Sequence, residues 1–195
     1  DIEFEKVINN DLHGKGHKVK MGQVVKMISD KTKGNAIIVT DVGQNQMSAA
    51  RYYQYKDKSS FITSGGLGTM GFGLPAAMGA KMGRPDKDVI HFVGDGGIQM
   101  TIQELDTISQ NNINVKIVLM NNHFLGMVRQ WQQRFFDKRY SFTELKSPNF
   151  MKIAEGYGIE SVQVTKREEL EKAVDKMLSS KKSFFLEVLV EKEDN

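Results

Sequence analysis

The sequence predicts an α/β fold, a doubly wound and mostly parallel sheet with helices on both faces. Three observations predict it. Short β-branched runs alternate with helical patterns from one end of the chain to the other, the order that a parallel sheet requires. Two of the runs, Val89-Ile90-His91-Phe92-Val93 and Val115-Lys116-Ile117-Val118-Leu119-Met120, are nearly continuous in apolar residues, as strands covered on both faces are. Each is followed at once by a turn of small or polar residues, Gly94-Asp95-Gly96-Gly97 after the first and Asn121-Asn122 after the second.

Taken in order, a helix is expected over Met21 to Thr32 and a strand over Ala36 to Thr40, then a polar loop from Asp41 to Gln46 and a helix ending near Tyr53. Phe61-Ile62-Thr63 feeds a glycine-rich stretch from Gly65 to Gly73, after which helix resumes from Leu74 to Lys81. Between the two apolar strands one amphipathic helix is expected from Met100 to Gln110, with Ile102, Leu105 and Ile108 spaced to face the core. Further helices are expected over Leu125 to Phe136 and Asn149 to Tyr157. The chain then closes with a strand at Ser161 to Val164, a charged helix from Lys166 to Leu178 and a last strand from Phe184 to Val190. No tandem repeat or low-complexity tract interrupts this pattern.

At 195 residues the chain suits one domain spanning 1–195, with residues 1–20 expected as a linker from a preceding domain and both ends resembling cuts in a longer chain. A net charge of +3 is too mild to argue for nucleic acid. No apolar run approaches the roughly 20 residues of a membrane helix, and the first residues lack the basic and apolar stretches of a signal peptide. A cytoplasmic protein with no nucleic-acid or membrane partner is therefore expected. The chain has no cysteine, so any metal must be held by oxygen or imidazole ligands, which points to hard cations. The four histidines carry no metal reading: His13 and His17 lie in a basic glycine stretch, His91 falls inside an apolar strand and His123 stands alone.

The chemistry concentrates at two strand ends. In an open parallel sheet the carboxyl ends of the strands form the crevice where ligands bind, and strands joined by one crossover are usually neighbours. The carboxylate of Asp95 and the amide oxygen of Asn122 are thus expected to converge. Hard oxygen donors of this kind suit magnesium, whose shell is typically completed by water and substrate phosphates. Gly96 and Gly97 leave room for an anion and offer it backbone N–H groups. Asp95 would repel that anion unless a cation lay between them. The turn alone also fits a simple N-cap, and it is the pairing with Asn122 that favours a site. The second cluster contains Gly66-x-Gly68-x-x-Gly71, formally a dinucleotide fingerprint. Its context does not fit, because a dinucleotide fold wants a strong strand before the cluster and an acidic residue at the end of the next one, whereas Asp86 and Asp88 precede the strand that begins at Val89. A loop whose bare backbone grips a flat ring is the alternative.

A Gly-Asp-Gly turn followed about 25 to 30 residues later by Asn-Asn resembles the signature of thiamine-diphosphate enzymes. Asp41-Val42-Gly43-Gln44, the stretch from Thr63 to Ala77 and Gly126-Met127-Val128-Arg129-Gln130-Trp131-Gln132 resemble the acetohydroxyacid synthase (acetolactate synthase) large subunit, with similarity from about Gly22 to Val190. The resemblance implies thiamine diphosphate and Mg2+ as cofactors. Asp95, Asn122 and the backbone carbonyl of Phe124 would hold the metal, while Gly43, Gln44, Asn45, Gly94, Gly96 and Gly97 would line the diphosphate. The Gly68 carbonyl and Met70 would hold the ring end of the cofactor, and Met127, Val128 and Trp131 would border the substrate pocket. Met70 and Trp131 also fit ordinary core packing.

Asn45 departs from the family, which commonly carries histidine there; an amide still donates but cannot become cationic. The resemblance further implies 2-oxo acid substrates (pyruvate and 2-oxobutanoate), a role in branched-chain amino-acid biosynthesis, a homodimer or larger assembly, a possible regulatory subunit, and FAD bound mainly outside this domain. The family's activating glutamate belongs to a domain absent from this chain. Glu104, expected to face solvent, is no substitute, so no catalytic residue is assigned here and the chain alone is expected to be inactive. Two alternatives stand beside this reading. One is another thiamine-diphosphate enzyme, such as a 2-oxo acid decarboxylase, glyoxylate carboligase or pyruvate oxidase; the other is a non-catalytic diphosphate-binding module.

Overall fold

A computed structural model describes residues 2–13 and 18–192. The first elements are α1 (Ile2–His13), α2 (Met21–Thr32), β1 (Ile37–Thr40), α3 (Gln44–Tyr52), β2 (Phe61–Ile62) and α4 (Gly73–Gly83). They are followed by β3 (Val89–Gly94), α5 (Asp95–Met100), α6 (Glu104–Gln110), β4 (Val115–Asn121), α7 (Gly126–Phe135), α8 (Phe150–Gly156), β5 (Glu160–Val164), α9 (Arg167–Ser179) and β6 (Phe184–Leu189). The stretch 1–20, expected as a linker, thus carries helix α1, whose partly buried Ile8 and Leu12 pack towards the core. Residues 14–17, with His17, lie outside the described residues.

All six strands run parallel in the order β2-β1-β3-β4-β6-β5. Alternate residues along each strand feed two separate cores. Ile38, Ile90, Phe92, Val118, Met120, Leu186 and Val188 pack beneath α2, α3 and α9, whereas Ile37, Val39, Val89, Ile117, Leu119 and Phe185 pack beneath α4, α5, α6 and α8. Helices therefore cover both faces, and β3 and β4 are buried along almost their whole length.

Where one helix is expected between β3 and β4, two form. Thr101 leaves helical geometry (φ −138°, ψ 28°), and its hydroxyl donates to the Gly71 carbonyl at 3.1 Å, tying the break to the glycine loop. A polar side chain with a backbone partner of its own competes with the helix ladder. The consequence is positional: α5 is a short element that starts at Asp95 and lies on the site.

The strand order sets the crevice. From β1 the chain crosses to β2 on one side, while β3 lies on the other side of β1, so the carboxyl ends of β1 and β3 flank a topological switch point.

Candidate functional site

Four turns meet at that crevice. The β1 turn brings Val42, Gly43, Gln44 and Asn45; the glycine loop brings Gly68 and Met70; the β3 turn brings Gly94, Asp95, Gly96 and Gly97; and the β4 turn brings Asn122 and Phe124. Together with Met21, Met120 and the start of α7 (Leu125, Gly126, Met127 and Val128) they line one cavity of about 260 Å³. Asp95 and Asn122, predicted to converge, do so. Its one lining carboxylate, among the described residues, is Asp95.

Asp95 is 1% exposed, and its Oδ2 accepts from the Ser147 hydroxyl at 3.0 Å. Burial pushes its carboxyl pKa up, against the Ser147 hydrogen bond. A buried carboxylate without a cation is costly, and a bound ion would remove that cost. Asn122 donates through Nδ2 to Gln44 Oε1 at 3.2 Å and accepts at Oδ1 from the Phe124 N–H at 3.1 Å. An amide oxygen has two lone pairs, so one remains for a cation. Among the described residues no group of three or more His, Asp or Glu could hold a metal. A single carboxylate beside an amide oxygen could instead serve an ion that draws its remaining ligands from water and phosphate.

The walls fit a diphosphate. Gly43 adopts φ +122°, a conformation that side chains disfavour, and turns the chain into α3 beside Gly94. A Cβ at Gly126 would collide with Gln44 Oε1, and it would come within 3.0 Å of Asn122 Nδ2, so only glycine lets α7 start against the β4 turn. Asn45 donates to the Val42 carbonyl at 3.2 Å, while its Oδ1 is buried without a partner, an unmet polar atom in a wall already rich in donors and acceptors. Because α5 has only six residues, the individual N–H groups of Gly96 and Gly97 matter more than any macrodipole.

Two residues have roles that the sequence reading did not assign. Asp41, 1% exposed, accepts from the N–H groups of Val42 (2.8 Å), Gly71 (2.9 Å) and Gly73 (3.2 Å). Its Oδ1 would lie 2.6 Å from a Cβ on Gly97. The carboxylate thereby ties the β1 turn to the glycine loop and lies close against Gly97 of the β3 turn. Ser147 reaches Asp95 from a segment strapped to the β4 turn, where the Leu125 N–H donates to the Thr143 carbonyl and the Leu145 N–H to the His123 carbonyl, both at 2.8 Å. Aspartate at a strand end could have signalled the first, whereas nothing in the local sequence signals the second.

Trp131 does not line the cavity. It stands on α7 with 58% exposure, edge-on to Phe135 at 5.7 Å, so neither core packing nor a pocket contact within this chain describes it. Glu104 is half-buried rather than facing solvent and accepts from the Thr107 hydroxyl at 3.0 Å.

Fold and crevice together define an α/β cofactor-binding domain of the doubly wound class. Residues 41–188 match the family described as thiamine pyrophosphate enzyme, C-terminal TPP binding domain, and the chain belongs to that family. Its relatives include the acetolactate synthase large subunit of Lactococcus lactis, 48% identical over 92% of this chain and 31% of that protein. The acetolactate synthase isozyme 2 large subunit of Escherichia coli is 44% identical over 88% of this chain and 32% of its own length. Acetolactate synthase 1, chloroplastic, of Nicotiana tabacum is 45% identical over 90% of this chain and 27% of its own. The chain thus spans about a third of the length of the relatives it matches. Among the described residues no helix is long and apolar enough to cross a membrane.

Proposed function

We propose that this chain binds thiamine diphosphate through a magnesium ion held by Asp95, Asn122 and the Phe124 carbonyl, and that the whole enzyme makes acetolactate. Its substrates are two pyruvates, or pyruvate and 2-oxobutanoate, in branched-chain amino-acid biosynthesis. The observation that carries this reading is the meeting of one buried carboxylate and one carboxamide, from neighbouring strand ends, in a single cavity walled by glycines.

When bound, the cofactor supplies a thiazolium that stores the electron pair released by decarboxylation. This chain's residues bind and orient it. Gly43, Gln44, Asn45, Gly94, Gly96 and Gly97 would hold the diphosphate, Gly68 and Met70 would hold the rings, and Met127 and Val128 would form the substrate side. Trp131 contributes at the mouth of the pocket where further protein covers α7. FAD is held outside this domain. Because Asp95 is the one acid lining the cavity, among the described residues, and is committed to the metal, the activating acid comes from elsewhere in the enzyme.

Calorimetry tests the reading. Thiamine diphosphate should bind with Mg2+ present, lose most of its affinity with EDTA, and outcompete nicotinamide dinucleotides. The Asp95→Ala chain should lose roughly 100-fold in magnesium-dependent affinity, at least the cost of disturbing a metal's outer shell. Equal binding with and without magnesium would refute the proposal.

A further inference from the structure

The β4 turn is anchored to a buried carboxylate that the cofactor reading does not use. Glu187, 2% exposed, lies in β6 directly between Leu119 of β4 and Gln163 of β5. Its Oε1 accepts from Asn121 Nδ2 at 2.8 Å, and its Oε2 accepts from Gln163 Nε2 at 2.7 Å. Asn121 in turn accepts at Oδ1 from the His123 N–H at 3.0 Å. His123 sits at φ +62°, a left-handed conformation uncommon for a non-glycine residue.

The first asparagine of the pair thus points away from the cavity and the second points into it. Asn121 fixes the strained residue after the ligand, and Asn122 holds Phe124 in the same way one residue later. A carboxylate placed beneath a sheet face, with two neutral amides for partners among the described residues, costs stability that an apolar residue would not. Such a cost persists where the surrounding structure needs the group.

We infer that Glu187 is a positioning residue: through Asn121 it sets the left-handed turn at His123, and so the aim of Asn122 Oδ1 and the Phe124 carbonyl at the divalent cation. The inference rests on the magnesium reading above. Gln163 completes the row, holding the second carboxylate oxygen so that the first stays turned to Asn121.

The test is a magnesium titration by calorimetry at saturating thiamine diphosphate, on the protein and its variants, with thermal unfolding in EDTA beside it. Glu187→Gln keeps an acceptor oxygen for Asn121 and should stay near the parent affinity. Glu187→Leu removes it and should weaken magnesium binding by about 10-fold or more, the range for partners behind a metal ligand. Gln163→Leu, at an exposed position, should weaken it in the same direction even if Glu187→Leu does not fold. A purely structural role would lower the unfolding temperature in EDTA and leave the magnesium affinity of the folded variants unchanged; that result overturns the inference. Loss of magnesium dependence in the parent protein would instead sink the cofactor reading, and this inference with it.

Discussion

His91 lies fully buried in β3, with Nδ1 3.2 Å from the Val39 carbonyl, which can only accept, so the neutral ring carries its proton there. Nε2 is buried without a partner, and burial pushes the imidazole pKa down to about 4 from 6.5. Between those two values the unfolded chain takes up a proton that the folded chain refuses. Stability is therefore complete above the upper value and is lost as pH falls towards the lower one. Chemical denaturation at pH 7 and pH 5 should show His91 contributing about 2 kcal/mol to the loss, absent from the pH slope of a His91→Gln protein. At Gly126 the expected change is steric: Gly126→Ala should cost about 1 to 3 kcal/mol in the same assay, because Gln44 or the β4 turn must move. Single residues were legible in the sequence where chemistry and place coincide. Asp95 and Asn122 announced themselves as donors at strand ends, and His91 as a core residue in an apolar run. Ser147 did not, since a serine ahead of Pro148 in a loop has no periodicity to place it.

Among the elements, the glycine loop depends on Asp41. A carboxylate that accepts from three backbone N–H groups makes charge-assisted bonds, which an amide cannot match. Asp41→Asn should speed amide hydrogen exchange at Gly71 and Gly73 and cost roughly 1.5 to 3 kcal/mol of stability, the worth of hydrogen bonds to a charged group. Helix α7 behaves in the opposite way. None of its residues is buried, and Val128, Trp131 and Phe135 are exposed. Trp131→Ala should leave the chain's unfolding free energy within about 0.5 kcal/mol of the parent, as surface substitutions do. A larger loss would mean that Trp131 packs within this chain. Nearly every element was readable from hydrophobic period because the sheet is two-faced. Strands showed as apolar runs, and helices such as α2 and α9 as single stripes. The break between α5 and α6 was hidden, because it is made by the contact of Thr101 with Gly71, about thirty residues away along the chain, rather than by any local breaker.

For the molecule as a whole, six parallel strands mean that no two neighbours in the sheet are joined by a tight turn. Parallel architecture and a crevice at the carboxyl ends of β3 and β4 followed from the alternation of elements; the switch point between β1 and β3 and the position of β6 between β4 and β5 did not, since apolar runs carry no sheet order. That position matters during synthesis. The strand made last among the six fills the gap between two made earlier, and until it emerges β4 keeps an open edge of unpaired N–H and C=O groups along an almost wholly apolar segment. A chain stopped before Phe184 is thus a template for sticking to its own kind, and a ribosome that stalls there would release an aggregation seed rather than a slightly shortened domain.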